Sequence, residues 1–271
     1  MLELLARNLD TAACLTISFY LIKLQSQKNA IIITTSMATF GFIYILLRYT
    51  GLFKPPKQLN PHVEEEWRSR IVRVIHAIVL VIGSLLSFSE WPHYPDHDGW
   101  TVTNPNVYYY PELFTSIFVG YLQYDMIWFV KHREEHSDAA SFIHHILYIA
   151  IGHYVLWGRF FFKAFAWLSF GELSTPFLHC RWFLAVTDRK QNKWYSFHSY
   201  LFALAFLFTR VFCFGLGLLD MWLSKYIWSH LPYGLYGVFI GVHLGLVLNL
   251  FWGAKVVGAL MKRLKKKAKQ N

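Results

Sequence analysis

Long apolar runs, separated by short polar connections, decide what this chain can fold into. A helix that crosses the hydrocarbon core of a bilayer needs about 20 mostly apolar residues. Hydrophobic residues make up 55% of the 271 residues and charged residues only 15%, which is more apolar than a water-facing surface tolerates. The sequence therefore predicts an all-α polytopic membrane protein. The predicted spans are residues 30–53, 71–90, 112–131, 141–158, 160–183, 197–219 and 233–260, whereas the run 11–24 is short of a full span.

Lysine and arginine are concentrated in the connections on one side of these spans. The connection 91–111 has neither residue, and the connection 220–232 has only Lys225. The positive-inside rule places the basic side in the cytoplasm, which predicts a cytosolic C-terminus. The net charge of +10 thus reflects membrane topology, and nucleic-acid binding is not expected. The basic side carries Lys54, Lys57, Arg68, Arg70, Lys131, Arg133, Arg189, Lys190, Lys193 and the tail residues 262–269.

This topology divides the chain into three parts. Residues 1–63 carry one or two N-terminal spans and a cytosolic linker, residues 64–260 form a compact bundle of six spans, and residues 261–271 form a basic cytosolic tail. In the tail, Lys267 and Lys269 have the spacing of a dilysine retrieval signal for the endoplasmic reticulum. A polybasic segment attracted to anionic lipid accounts for the same lysines.

Two adjacent histidines, His144 and His145, lie inside the apolar run 141–158. An ionisable side chain in such a run is costly unless it is paired, lines a polar cavity or takes part in chemistry. Both lie about 5 Å from the cytoplasmic end of their helix, and Asp125 lies about 9 Å from the end of the preceding one. A carboxylate there could hold one imidazole in a single tautomer, as in acyl-transfer sites. Adjacent helical residues point about 100° apart, so only one histidine can face a given point.

Polar residues in other spans are expected at comparable depths. His76 and Arg181 lie close to the cytoplasmic rim, and Glu172 lies about 15 Å from it. Residues from four helices are therefore predicted to converge in the cytoplasmic half of the bundle. Arg210 lies outside that layer and needs an acidic or carbonyl partner, for which Glu172 is the nearest candidate by depth.

The span 160–183 contains a proline, Pro176. A proline inside a helix removes a hydrogen bond and can kink the backbone. Ser174 and Thr175 could then bond to the freed carbonyl groups, and the kink would open space beside Glu172. The alternative is that these small residues only form a contact between helices.

Five short segments, in chain order, carry a family resemblance: WRSRIVRVIHA, GYLQYD, FIHH, GELSTPFLHCRW and FTRVF. Together they resemble the TLC-domain family of endoplasmic-reticulum membrane proteins, whose best-known enzymes are the ceramide synthases. Within that family they are most similar to the TLC domain-containing protein 4 group. The resemblance covers roughly residues 64–260 and implies a ring of six membrane helices around a cavity for a lipid acyl chain.

The resemblance also implies a lipid acyltransferase. In ceramide synthases, paired histidines and nearby aspartates are required to move an acyl group from coenzyme A to a sphingoid amine. His144 and His145 match that pair, and Asp125 matches an acidic position on the preceding helix. The expected catalytic residues are therefore His144, His145 and Asp125, and the expected supporting or substrate-binding residues are His76, Glu172, Arg181, Arg210, Ser174 and Thr175.

Acyl-coenzyme A is the expected co-substrate, and no permanently bound cofactor is expected. Its phosphates would meet Arg181, Lys131 and Arg133 on the cytoplasmic side. The other expected partners are membrane lipids, a second copy of the chain in a homodimer, and a coat protein that recognises the C-terminal lysines. The expected location is the endoplasmic-reticulum membrane.

The sequence departs from the ceramide synthase pattern at one element. Those enzymes carry H-D-x-x-D on the helix after the double histidine, where this chain reads Gly171-Glu172-Leu173-Ser174-Thr175-Pro176. The acyl acceptor is therefore expected to be either an amine or a hydroxyl. Glu172 is expected to replace one of the two carboxylates of the ceramide synthase element. The alternative function is a non-catalytic lipid-binding protein that regulates phospholipid composition or trafficking.

A di-iron site of the membrane desaturase type is a further alternative. His132 and His136 precede His144 and His145, and imidazole is a suitable ligand for iron. Desaturases, however, use several histidine boxes, and the chain has no second double histidine. No metal site is therefore expected.

Overall fold

The computed structural model describes residues 2–90, 109–132, 139–159, 161–223 and 234–268, and this part of the chain is helical without strands. The chain is thus an all-α polytopic membrane protein, as predicted. A 3₁₀ segment, Phe170–Ser174, joins α6 to α7, and a π-helical segment, Leu207–Cys213, joins α8 to α9. The helices are α1 (Leu2–Lys23), α2 (Gln27–Thr50), α3 (Pro61–Ser89), α4 (Tyr109–Lys131), α5 (Ala139–Gly158), α6 (Phe162–Ser169), α7 (Thr175–Val186), α8 (Lys193–Phe206), α9 (Phe214–Leu223) and α10 (Gly234–Ala268).

Within the described residues, five helical stretches are long and apolar enough to cross a membrane. They are α2, α3, α4, the stretch Lys193–Leu223 and the stretch Gly234–Lys262. Helix α5 is apolar from Phe142 to Gly158 but is shorter than these. The run 11–24 lies in α1, which is helical but is not among the five.

The connection between the predicted spans 30–53 and 71–90 is partly helical, because α3 already begins at Pro61. Proline is well tolerated in the first turn of a helix, where its missing N–H is not needed. Glu64 accepts a hydrogen bond from Arg68 at 3.0 Å, and Glu66 accepts one from Arg70 at 2.8 Å. Such pairs, one turn apart with the acid nearer the N-terminus, stabilise the first turns of a helix.

The predicted span 160–183 differs most from the structure, because it is divided into α6, the 3₁₀ segment and α7. Pro176 lies in the first turn of α7, where its missing N–H removes no hydrogen bond. It therefore begins a helix instead of kinking one. The irregularity lies one turn earlier, at Phe170–Ser174, where the Ser174 hydroxyl donates to the carbonyl oxygen of Gly171 at 3.1 Å.

The chain divides into two compact units, the first of which contains α1, α2, α4 and α5. This first unit comprises Met1–Phe53, Glu90–Phe162 and Tyr226–Val238. Helix α4 is the most enclosed span of this unit. In its most apolar stretch 72% is buried inside the protein, against 22% in that of α2. Polar side chains in the middle of α4, such as Gln123 and Asp125, therefore face protein and not lipid.

Helices α2 and α4 approach each other closely at Gly120. A Cβ atom at Gly120 would lie 2.4 Å from the carbonyl oxygen of Ile33 and 2.8 Å from the Cβ of Ser36. The Ser36 hydroxyl donates to the carbonyl oxygen of Ile117 at 2.9 Å. Lipid tails are as apolar as leucine, so helices in a membrane associate through such small residues and hydroxyl groups.

The second unit comprises Lys54–Ser89, Lys163–Lys225 and Phe239–Asn271. In it, α3 runs antiparallel to the stretch from α6 to α7. Trp67, near the start of α3, packs on Phe183 near the end of α7, with ring centroids 4.5 Å apart. Phe88 and Trp167, from the opposite ends of these helices, are 4.6 Å apart.

Two connections of the second unit are joined by an ion pair between Lys57 and Asp188. The hydrogen bond from Lys57, together with its charge, holds the pKa of Asp188 below its usual value. Both side chains are exposed, so the pair adds little to stability. The contact agrees with the prediction that both connections lie on one side of the membrane.

We expect Gly120→Ala to lower the stability of the protein by about 1–3 kcal/mol, because the new methyl group meets the backbone of α2. Thermal unfolding of the full chain in detergent measures the change. Gly41→Ala is the matched control in the same pair of helices, since a Cβ there lies 3.9 Å from Tyr124, an ordinary contact. Equal unfolding temperatures for the two variants would contradict the close approach at Gly120.

Candidate functional site

The central polar contact of the first unit joins Asp125 of α4 to His145 of α5. The Oδ2 atom of Asp125 lies 2.9 Å from the Nε2 atom of His145. The side chains are 2% and 16% exposed, respectively, so water screens the contact little. An ionised carboxylate there accepts the Nε2 proton, which puts the lone pair of the neutral ring on Nδ1.

His144 has a different environment from its neighbour. Its ring is inclined by 79° to the His145 ring, with centroids 5.9 Å apart, and packs on Tyr148 with centroids 4.5 Å apart. The two histidines therefore present different faces of α5, as the helical geometry predicts. His145, and not His144, makes the hydrogen bond to Asp125. The sequence alone could not show which of the two adjacent histidines does so.

A third histidine of α5, His153, lies between two glutamines. The Gln123 amide lies 2.8 Å from its Nε2 atom, and the Gln25 amide lies 3.1 Å from its Nδ1 atom. Both contacting atoms are amide nitrogens, whereas a neutral imidazole accepts through only one ring nitrogen, so one of the two amides must present its oxygen to the ring N–H. His153 is 5% exposed and is thus accounted for as a buried, hydrogen-bonded residue. These partners could not be predicted from the sequence, because Gln25 is far from His153 along the chain.

A group of polar residues at the start of α4 was not predicted from the sequence. The Glu112 side chain is 7% exposed, and its carboxylate accepts a hydrogen bond from Asn29 at 3.1 Å. Lys28 and Arg159 lie 3.4 and 3.5 Å from the same carboxylate. The group joins the starts of α2 and α4 to the end of α5, on the side that the predicted topology places away from the cytoplasm.

The second unit contains the predicted ion pair between Glu172 and Arg210. An Nη2 atom of Arg210 lies 2.7 Å from Oε1 of Glu172, and the side chains are 16% and 19% exposed. The Nε atom of Arg210 donates to the Ser174 hydroxyl at 3.1 Å. The Thr175 hydroxyl donates to the other carboxylate oxygen at 2.7 Å. The pairing predicted from depth is therefore confirmed, with Ser174 and Thr175 in the same network.

Both partners of this ion pair come from irregular helical segments. Glu172 belongs to the 3₁₀ segment and Arg210 to the π-helical segment. The two segments touch, since the Thr209 hydroxyl lies 3.4 Å from the carbonyl oxygen of Gly171. Irregular turns within helices are frequent at functional sites. Here they bring an arginine in the middle of a long span to the one acidic side chain of the Gly171–Pro176 element.

The remaining predicted site residues are placed as follows. His76 is buried in α3 of the second unit, and Arg181 of α7 lines a cleft in the same unit. Lys131 is exposed at the end of α4 in the first unit. Arg133 lies outside the described residues. Of the four helices predicted to converge, those with Asp125 and the histidine pair thus belong to the first unit, and those with His76, Glu172 and Arg181 belong to the second.

The histidines considered for iron do not form a metal cluster in the described part of the chain. No group of three or more His, Cys, Asp or Glu side chains there is arranged to hold a metal ion. The Nδ1 atom of His132 lies 2.9 Å from the carbonyl oxygen of Trp128, at the end of α4. His136 lies outside the described residues.

Comparison with known proteins identifies relatives over most of the chain. Residues 66–258 match the family model described as TLC domain. An uncharacterised TLC domain-containing protein of Schizosaccharomyces pombe is 25% identical over 219 residues, which cover 76% of this chain and 69% of the relative. No solved structure matches the chain.

Two further relatives are named TLC domain-containing protein 4. The protein 4 A of Dictyostelium discoideum is 23% identical over 244 residues, which cover 84% of this chain and 91% of the relative. The protein 4 of Xenopus tropicalis is 24% identical over 255 residues, which cover 87% and 92% of the two chains. The similarity therefore extends over almost the whole length of both relatives.

We expect Arg210→Ala to lower stability by about 1–3 kcal/mol, because it leaves the Glu172 carboxylate without its counter-charge. The double variant Glu172→Gln/Arg210→Ala should recover part of that loss, since it removes both charges. Chemical or thermal unfolding of the four combinations gives the coupling free energy. Lys57→Ala, which breaks an exposed pair in the same unit, is the control and should change stability little. Additive effects of the two substitutions would contradict the pairing.

Proposed function

The chain belongs to the TLC-domain family, and we propose that it is a membrane-embedded lipid acyltransferase, which moves a fatty acyl group from acyl-coenzyme A to an amine or hydroxyl of a lipid. The observation that carries this proposal is the 2.9 Å contact between Asp125 of α4 and His145 of α5. A carboxylate that orients an imidazole is the arrangement of a general base in acyl transfer. The names of the relatives state no activity, so the proposal rests on this geometry and on the resemblance to ceramide synthases.

In the proposed reaction, neutral His145 accepts a proton from the acceptor amine or hydroxyl while that group attacks the thioester carbonyl. A new C–N or C–O bond forms, the C–S bond breaks, and the imidazolium returns its proton to the departing sulfur. Asp125 stabilises the imidazolium and fixes the tautomer. Direct attack of the imidazole on the thioester, which gives an acyl-imidazole, is the second route open to the same residue.

The acyl donor would approach from the cytoplasmic end of α4. Lys131 lies about 9 Å along the helix from Asp125, and its exposed side chain is suited to the phosphates of coenzyme A. Arg133 follows Lys131 along the chain and is proposed for the same role. Arg181, His76 and the Glu172–Arg210 pair belong to the second unit, and their phosphate-binding or supporting roles are proposed from the sequence alone.

One observation favours the second function, a non-catalytic lipid-binding or regulatory protein. Glu172, the stand-in for the acidic pair of ceramide synthases, is occupied by Arg210 at 2.7 Å. A carboxylate neutralised in this way is poorly suited to a further proton transfer. Under this reading, Asp125 and His145 serve to join α4 to α5, and their replacement affects stability but no reaction.

We further propose that the protein resides in the endoplasmic reticulum with its C-terminus in the cytosol, where a coat protein recognises Lys267 and Lys269. A homodimer is compatible with the same location. The alternative explanation, attraction of a polybasic tail to anionic lipid, depends on charge and not on lysine position.

We expect Lys267→Ser/Lys269→Ser to move the tagged protein from the endoplasmic reticulum to later compartments of the secretory pathway. Lys262→Ser/Lys265→Ser removes the same charge from the preceding turns and should leave the location unchanged. Fluorescence microscopy against compartment markers measures both. Equal behaviour of the two variants would reject the retrieval signal.

We expect His145→Gln and Asp125→Asn each to lower kcat/KM for acyl transfer by about 10²- to 10⁴-fold, because each removes the oriented base. His144→Gln is the matched control on the same helix and should cost less than about tenfold. The assay uses the purified full chain, labelled acyl-coenzyme A and a panel of lipid amines and alcohols. Intact mass is recorded to detect an acyl-enzyme.

The outcomes of this assay separate the two functions. Wild-type protein that forms neither an acylated lipid nor an acyl-enzyme across the panel would reject acyl transfer. A lipidome that responds to deletion of the gene, but not to the His145→Gln substitution, would support the regulatory role. Equal losses in His144→Gln and His145→Gln would contradict the role assigned to the contact with Asp125.

A further inference from the structure

The second unit contains a cleft between α7, α8 and α10 with a volume of about 230 Å³. Two cations line it, Arg181 from α7 and Lys255 from α10. Lys255 was not among the predicted site residues, although a lysine in the predicted span 233–260 is a recognisable signal. The full lining consists of Arg181, Ser199, Tyr200, Phe202, Ala203, Lys255, Val256, Ala259 and Leu260.

Neither cation of the cleft is neutralised by a side chain in the described part of the protein. The Arg181 guanidinium lies 5.3 Å from the ring centroid of Phe202, and the Lys255 ammonium lies 4.1 Å from that of Phe251. Aromatic faces attract cations weakly and supply no negative charge. By contrast, Arg210 in the same unit has a carboxylate at 2.7 Å.

Two unneutralised cations that line one cleft of a membrane protein need an explanation, because charge in a bilayer is costly. A single lysine or arginine near the end of a span can extend its side chain to the headgroup region. Such extension does not account for cations from two different helices that line the same small cleft. The positive charges of Arg181 and Lys255 line the same cleft, and such an arrangement can bind an anion.

The cleft lies near the basic end of its helices and is open to the surroundings. Arg181 is in the last turns of α7, and Tyr200 is in the second turn of α8, next to the basic connection 187–192. Tyr200 is 38% exposed, and the apolar neighbours Leu204 and Phe251 are 70% and 54% exposed. Exposed apolar side chains on spanning helices contact lipid, so the cleft opens beside the acyl chains, near the headgroups.

We propose that this cleft binds the phosphate of an anionic phospholipid from the surrounding membrane. Basic pockets between spanning helices on the cytoplasmic side commonly bind anionic headgroups. The volume of about 230 Å³ is below the range of pockets that enclose whole small-molecule ligands. It is therefore suited to a single phosphate group, with the lipid chains outside, and not to the nucleotide of coenzyme A.

This site goes beyond the proposed acyl transfer and does not depend on it. The carboxylate–imidazole pair belongs to the other unit, and none of its residues lines the cleft. Arg181, which sequence analysis assigned to the acyl donor, would here hold the phosphate of a lipid. Arg181 and Lys255 donate charge-assisted hydrogen bonds to it, and the phenol of Tyr200 is a further donor.

The test measures lipids retained by the purified full chain in native mass spectrometry, with phosphatidic acid as the probe and diacylglycerol as the phosphate-free control. Arg181→Gln and Lys255→Gln should each weaken phosphatidic acid binding about tenfold. Ala259→Trp, which fills the cleft without changing charge, should weaken it as well. Diacylglycerol binding should be the same in all variants.

Arg189→Gln/Lys193→Gln is the charge control, since it removes two cations from the same side of the protein but outside the cleft. Phosphatidic acid binding that falls as much in this control as in the cleft variants would overturn the proposal, because it would indicate general attraction to basic residues. Unchanged binding in both Arg181→Gln and Lys255→Gln would also overturn it. A loss of free coenzyme A binding without loss of phosphatidic acid binding would assign the cleft to the acyl donor and reject a phospholipid.

Discussion

The cost of an unpaired charge inside a bilayer is the constraint on which the rest of this structure depends. Three carboxylates in the described helical segments, those of Glu112, Asp125 and Glu172, have polar partners that come from other segments. Asp125 meets His145 and Glu172 meets Arg210, at 2.9 and 2.7 Å. Glu112 joins three segments of the first unit through Lys28, Asn29 and Arg159. Since apolar packing distinguishes poorly between one lipid-facing surface and another, these polar contacts specify which helices meet.

The same constraint explains how much the sequence could predict. A charge in an apolar run has a depth that follows from its position, and a partner must lie at a similar depth, so Glu172 and Arg210 could be paired without a structure. The rotation of a helix about its axis is not encoded in this way. The choice of His145 over His144, and the amides around His153, therefore became apparent only in the structure. The 3₁₀ and π-helical segments were also missed, because they depend on contacts between residues far apart in sequence.

The network around Glu172 bears on the kind of chemistry this chain can perform. Ceramide synthases have two acidic residues at the corresponding element, whereas this chain has one, and that one accepts hydrogen bonds from Arg210 and Thr175. A carboxylate held in this way strengthens the contact of two irregular segments and has little capacity left for a substrate. Among the described residues, the proton transfer proposed above would therefore depend on the Asp125–His145 pair. Such a pair is sufficient for a general base but leaves the recognition of the acceptor to other residues.

The cleft with Arg181 and Lys255 is informative because it departs from the pattern of paired charge. Lys28, Arg159 and Arg210 each have a carboxylate within 4 Å. Arg181 and Lys255 have no such carboxylate partner among the described residues. Their cleft therefore lacks the negative charge that would balance them. The membrane supplies that charge at the same depth, in the phosphates of its own headgroups. A protein that pairs its internal charges within the chain thus leaves one pair to be completed by lipid.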